Sequence, residues 1–164
     1  MLLVHTIGHS NHPIERFIEL LRRQRITRLV DVRSHPASRW APQFGKRPLE
    51  RALGRAGIDY RFLGDALGGR PADPAFYDAD GRVDYARRAQ AEDFLDGVER
   101  LMTLAAEAPT AILCAEEDPA RCHRRRLITP ALRARGAEVV HIRGDGRVQP
   151  EADDAELDGQ LGLF

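Results

Sequence analysis

The thirty residues LVHTIGHSNHPIERFIELLRRQRITRLVDV, numbers 3 to 32, decide the fold. They open on an apolar run, Leu3 to Ile7, of strand length, which ends at once in the polar turn Gly8-His9-Ser10-Asn11. From Pro13 to Gln24 the apolar positions Ile14, Phe17, Ile18 and Leu21 recur at the spacing of one helical face. Arg28 to Val32 is a second run of strand length. A strand, an amphipathic helix and a strand in so short a stretch make a βαβ unit, and its two strands lie parallel because the helix returns the chain across the sheet.

The alternation continues outward from that unit. Pro48 to Ala56 reads as a short helix stopped by Gly57, and Asp59 to Leu63 as a third strand. Asp84 to Glu107 is the longest helix, with Phe94, Val98, Leu101 and Ala105 on one stripe. Thr110 to Ala115 is a fourth strand, Cys122 to Arg135 a helix closed by Gly136, and Glu138 to Ile142 a fifth strand. At 164 residues the chain has the size of one domain. The expected fold is a single α/β domain over residues 1–145, a mostly parallel sheet of about five strands with helices on both faces. Residues 34–47 and 64–82 are rich in Pro, Gly, Asp and Arg, and unstructured loops that long in a compact domain are usually functional or mobile. Beyond Asp145 periodicity is lost, and 146–164 is expected to be a flexible acidic tail.

Composition excludes several classes. With 43% hydrophobic and 30% charged residues the chain is neither disordered nor collagen-like. It has no apolar run of membrane-spanning length and no signal-peptide pattern at its start, so a cytoplasmic protein without a membrane partner is expected. Two cysteines cannot build a disulfide framework, and in a reducing compartment they point to burial, catalysis or metal binding. The net charge is zero, yet residues 16–70 hold 13 basic and 5 acidic side chains, 71–120 hold 4 and 12, and 121–147 hold 8 and 2. All the basic residues but Lys46 are arginine, which suits bidentate contact with phosphate; a GC-rich genome gives the same bias without function.

In an open parallel sheet, ligands bind outside the carboxyl ends of the strands. There the sequence places Gly8-His9-Ser10-Asn11, then Arg33-Ser34-His35-Pro36 leading to Ser38-Arg39-Trp40, and Cys114-Ala115-Glu116-Glu117-Asp118-Pro119 leading to Cys122-His123-Arg124. Capping of the first helix by Ser10 or Asn11 explains part of this polarity, but not His9, Arg33 or the Cys-His-Arg triplet. Cys114 sits within an apolar strand and reads as core. Cys122 lies near a helix start beside His123, Arg124 and Arg125, a setting that lowers a thiol pKa and makes a nucleophile, although simple packing would also account for it. A tyrosine-phosphatase-like loop is rejected because Glu116, Glu117 and Asp118 would repel a phosphate dianion. The C-x7-C-H spacing is no standard zinc pattern, so neither a metal nor a cofactor is expected. Arg33, Arg39 and Arg124 fit an anion site, or else pair with Asp31, Glu116 or Asp118 as structural salt bridges.

Taken together, the run from Thr6 to Asn11, the segment Asp31-Val32-Arg33-Ser34 with Pro36 and Ser38-Arg39, the Leu67-Gly68-Gly69-Arg70 loop, and Cys114-Ala115-Glu116 with Asp118-Pro119 and Cys122-His123-Arg124 resemble the prokaryotic domain-of-unknown-function family 488. The resemblance spans about residues 4–143 and implies an α/β fold and the position of a site, without a reaction. One departure is Pro13, at a place where a capping serine is expected, which should alter only the helix start. The motifs mark His9, Cys122 and His123 as candidate catalytic residues. Ser10, Asn11, Arg33, Ser34, Ser38, Arg39, Arg70, Glu116 and Arg124 are marked as candidate anion or substrate ligands.

The last five residues, Gln160-Leu161-Gly162-Leu163-Phe164, resemble the bacterial sliding-clamp-binding peptide, with Gln160, Leu161, Leu163 and Phe164 as the contact residues. The alternative is that this segment fills a groove on its own domain. The expected function is therefore a nucleic-acid- or nucleotide-processing enzyme with an anion site at the strand ends, a hydrolase or transferase recruited to DNA replication or repair by its C-terminal peptide. Trp40 or Phe44 would stack an exposed base in this reading, with Trp40 as plain core the alternative. Two other readings stay open: a noncatalytic nucleotide-binding or clamp-adaptor module, and thiol or sulfur-transfer chemistry at Cys122.

Overall fold

The structure, a computed structural model, describes residues 1–151. Its sheet has six strands: β1 (Leu3–Gly8), β2 (Arg28–Asp31), β3 (Asp59–Phe62), β4 (Thr110–Cys114), β5 (Glu138–Ile142) and β6 (Val148–Pro150). They lie in the order β3-β2-β4-β1-β5-β6, all parallel except β6, which runs antiparallel to β5. The single α/β domain read from the sequence is the fold observed.

Helices cover both faces, because the strands carry apolar side chains on both. On one face α1 (Ile14–Arg23) and α2 (Lys46–Arg55) bury Phe17, Leu20, Leu21, Leu49 and Leu53 against Ile7, Leu29 and Leu113. On the other, α5 (Glu92–Glu107) and α6 (Thr129–Ala134) bury Phe94, Val98, Leu101 and Leu132 against Val4, Val30, Ile112 and Val139. Two short helices, α3 (Gly64–Leu67) and α4 (Tyr85–Arg88), occupy the long connection after β3.

Four local expectations are corrected. The long helix starts at Glu92, not Asp84: Asp84 caps α4 by accepting the Arg87 N–H, and the chain leaves helical geometry at Ala91 before α5 begins. The segment Cys122 to Arg135 is a π-helical turn, Arg124–Ile128, running into α6. The loops hold 3-10 turns at Pro42–Phe44 and Pro74–Phe76 besides α3. The residues after Asp145 do not begin a tail: Val148–Pro150 extend the sheet, and the Glu151 side chain is buried in an ion pair with Arg125 at 2.8 Å and a hydrogen bond with Nε2 of His141, whose Nδ1 meets the Thr6 hydroxyl at 2.6 Å. The rest of the predicted tail, with its clamp-like peptide, lies outside the described residues. Pro13 does alter the helix start as expected: it takes the cap position, no side chain caps α1, and its carbonyl accepts the Phe17 N–H at 3.1 Å.

Topology puts the site between β1 and β4. Gly8 pairs with Cys114 in register, so these strands end level, while α1 leaves β1 toward one face and the chain leaves β4 toward the other. This divergence is the topological switch point where open α/β sheets leave a crevice.

A candidate site at the strand ends

A cavity of about 380 Å³ occupies that crevice. Its wall is drawn from four strand ends: His9 after β1, Arg33, Ser34, His35 and Ser38 after β2, Gly69 and Arg70 after β3, and Cys114 with Arg121, Cys122 and His123 after β4. Among the described residues no carboxylate lines it.

His9 is 4% exposed and stacks on Phe44, with ring centroids 4.6 Å apart. Its Nδ1 lies 2.7 Å from the Ser10 carbonyl oxygen, so Nδ1 carries the proton and Nε2 keeps its lone pair. Burial first, with smaller help from Arg33, holds the imidazole at about 4, against the opposing pull of the Ser10 carbonyl and Asp31. At neutral pH His9 is therefore an uncharged base.

His123 is built the same way with the nitrogens exchanged. Nε2 donates to the Val32 carbonyl at 3.0 Å, and Nδ1 faces the sulfurs of Cys122 at 3.6 Å and Cys114 at 3.8 Å. Burial again holds the ring at about 4. The two cysteines are joined as a disulfide, which corrects the reading of Cys114 as plain core and of Cys122 as a standing nucleophile. When reduced, Cys114, Cys122 and His123 are the one group of three donors among the described residues able to hold a soft metal, their donor atoms lying within 4.8 Å of one another.

Arg33 is 6% exposed and salt-bridged to the fully buried Asp31, which takes Nε and Nη2 at 2.9 Å each and also accepts from the Tyr60 hydroxyl at 2.6 Å. The structural salt bridge is thus observed, and the pairing leaves Nη1 without a hydrogen-bond partner among the described residues. Arg70 and Arg121 are exposed at the cavity mouth. The Arg70 N–H donates to the Ser34 hydroxyl at 2.8 Å, which ties the glycine loop to the end of β2.

Not all the expected residues meet there. Arg124 is wholly buried, its Nη2 donating to the Glu117 carbonyl at 2.7 Å while Nε and Nη1 have no partner among the described residues. Burial lowers its pKa to about 10, so it stays charged at neutral pH, but it does not line the cavity. Ser10 sits at φ 45° and donates its N–H to the Ala115 carbonyl at 2.9 Å, so it turns the chain and neither lines the cavity nor caps α1. Asn11, Arg39 and Glu116 are exposed and outside the wall. Glu116 acts through its backbone: its carbonyl lies where a Cβ on Gly8 would be, 1.7 Å away. Phe44 is fully buried and cannot stack a base, whereas Trp40 is 89% exposed and is not core. The sequence reading left out Arg121 and His35 as site residues, although each directly adjoins a residue that it selected. Tyr85 also lines the cavity, and no local signal marks it.

Close packing of the glycine loop sets the cavity's shape. A Cβ on Gly68 would stand 2.0 Å from the Ser34 hydroxyl and 2.4 Å from the Gly64 carbonyl, and one on Gly69 would meet the His123 ring at 2.8 Å. Gly68→Ala is expected to destabilise the protein by about 1–3 kcal/mol through overpacking. Gly54→Ala, in the open last turn of α2, should stabilise it by up to roughly 0.5–1 kcal/mol. Urea unfolding of the two variants checks both signs.

An open, mostly parallel sheet with helices on both faces and a cationic cleft at its switch point defines a doubly wound α/β protein with a strand-end site. Within that class, this chain belongs to the family described as Domain of unknown function DUF488, whose model matches residues 13–129. Neither the curated proteins nor the solved structures yield a match.

Proposed function

We propose that the chain is an enzyme acting on a nucleotide or nucleic-acid substrate, whose phosphate is held in the strand-end cavity. The observation that carries this reading is the lining: Arg33, Arg70 and Arg121 border one space, and no carboxylate among the described residues lines it. Arginine forks suit phosphate oxygens, and the serines Ser34 and Ser38 add neutral hydroxyls. His9, uncharged with Nε2 unprotonated, supplies the base for phosphoester or glycosidic cleavage. The exposed Trp40 gives a neighbouring base a surface to stack on. The protein works in the cytoplasm in this reading.

Fluorescence anisotropy with a 5′-phosphorylated oligonucleotide tests the proposal. Arg70→Ala and Arg121→Ala should each weaken binding about tenfold or more, the value of a charged hydrogen bond, and each should reduce the salt slope by about one. His9→Gln should bind normally and turn over no substrate. Binding and no turnover in every variant and in the native chain would leave a noncatalytic nucleotide-binding module instead.

Recruitment by the peptide Gln160-Leu161-Gly162-Leu163-Phe164 belongs to the same proposal. Its support is the match to the sliding-clamp-binding pattern, and the effect expected is a higher local concentration at DNA. Leu163→Ala with Phe164→Ala should weaken clamp binding by about two orders of magnitude, from the lost burial of two large apolar anchors. Calorimetry against a bacterial clamp reads this directly; equal affinity of both proteins would refute it.

A further inference from the structure

We infer that the Cys114–Cys122 pair is a thiol–disulfide exchange site for small disulfides that carry negative charge. The substrate charge rests on the anion-binding reading of the cavity; the exchange itself does not. A purely structural staple has no reason to face a cavity, yet both sulfurs belong to residues lining this one, together with Arg33 and Arg121. Both also lie within reach of one imidazole nitrogen that has no proton of its own, because the Val32 carbonyl holds the ring proton on Nε2.

The pair is asymmetric. Cys122 Sγ accepts the backbone N–H of Arg124 at 3.5 Å and is the nearer to His123, whereas Cys114 has only the longer imidazole contact. Donors directed at a sulfur favour its thiolate, so Cys122 attacks and Cys114 resolves. In the reduced protein His123 Nδ1 takes the Cys122 thiol proton, and the thiolate attacks a substrate disulfide RS–SR′. A Cys122–SR bond forms, the RS–SR′ bond breaks, and R′S⁻ leaves with the proton from His123. Cys114 then gives its proton to the same nitrogen and attacks the Cys122 sulfur, which forms the Cys114–Cys122 disulfide and releases RSH. The substrate gains two electrons as two thiols and the protein loses two. An external dithiol returns them by the reverse exchange.

The test uses the native chain, reduced with dithiothreitol and then freed of it, and measures its oxidation by glutathione disulfide, which is anionic, and by cystamine, a dication. The expected result is full reduction of the folded protein and oxidation by glutathione disulfide at least tenfold faster than by cystamine, a preference that Arg70→Ala with Arg121→Ala removes. Cys114→Ser should stall with glutathione on Cys122, seen by mass spectrometry, and Cys122→Ser should capture it much more slowly. A disulfide that dithiothreitol reduces only when the protein unfolds would overturn the inference and leave the nucleotide reading intact. So would a reduced protein that retains zinc and loses exchange. Equal rates with the two disulfides would overturn the substrate assignment and count against the anion-binding cavity as well.

Discussion

Acidification from about pH 8 to about pH 4 should remove about 6 kcal/mol of folding free energy, most of it above pH 4.5. The cause is the two buried neutral imidazoles. His9 and His123 are each held at about 4 in the folded chain against an ordinary 6.5, so the unfolded chain binds their protons first as the pH falls. Stability is then lost between 6.5 and 4, at about 3 kcal/mol for each ring. His5, also lowered by burial, acts in the same direction. Carboxylate pairs contribute at lower pH: Glu117, held at about 2 first by Arg143, loses its contribution between 4.5 and 2. For a domain at the lower end of the typical range of about 5–15 kcal/mol, the loss from the two histidines alone brings unfolding close to pH 4. Thermal melts across this range check it, with His9→Gln expected to remove about half of the slope between pH 6.5 and pH 4.5. A melting temperature that stays level from pH 7 to pH 5 would contradict the environments assigned to both rings.

The second large effect lies at Asp31. This carboxylate is fully buried and accepts from Arg33 Nε, Arg33 Nη2, the Arg33 backbone N–H and the Tyr60 hydroxyl. Asp31→Ala strands a nearly buried guanidinium, and removal of one partner from such a pair costs about 3–5 kcal/mol. Tyr60→Phe removes one hydrogen bond to a charged group and should cost only about 1.5–3 kcal/mol. Because Asp31 also fixes the fork of Arg33, Asp31→Ala should weaken oligonucleotide binding along with stability, whereas Tyr60→Phe should leave binding near its native value. Urea titration of both variants gives the order; a loss below about 1 kcal/mol for Asp31→Ala would show that Arg33 finds another partner.

Five of the six strands were legible because apolar runs of strand length, or in β3 an alternation of polar and apolar residues, stand between polar turns, and β2 and β4 are buried on both faces. The sixth was not, since Val148-Gln149-Pro150 has one large apolar residue and a proline, which an edge strand tolerates and a sequence pattern does not reveal. At the site, strand-end logic found His9, Arg33, Cys122 and His123 together, because topology alone brings the ends of β1, β2 and β4 level. It misplaced Arg124, which opens the π-helical turn Arg124–Ile128 and is wholly buried there, and residue order carries no trace of that turn. Ser10 and Glu116 were misread for a different reason: their sequence positions matter through backbone contacts, which side-chain chemistry cannot announce. The Cys114–Cys122 bond depends on the path of the loop between them, and so was out of reach as well.

The account stands most directly on where a nucleotide binds, and the histidine rings of the native chain report it. Side-chain NMR during titration with a 5′-nucleotide should show saturable shifts of His9, His35 and His123, which line the cavity, while His5 and His141, on other parts of the sheet, stay in place. A nucleotide that shifts none of the three at saturating concentration, or that shifts His5 or His141 in their stead, would contradict a phosphate site at the strand ends.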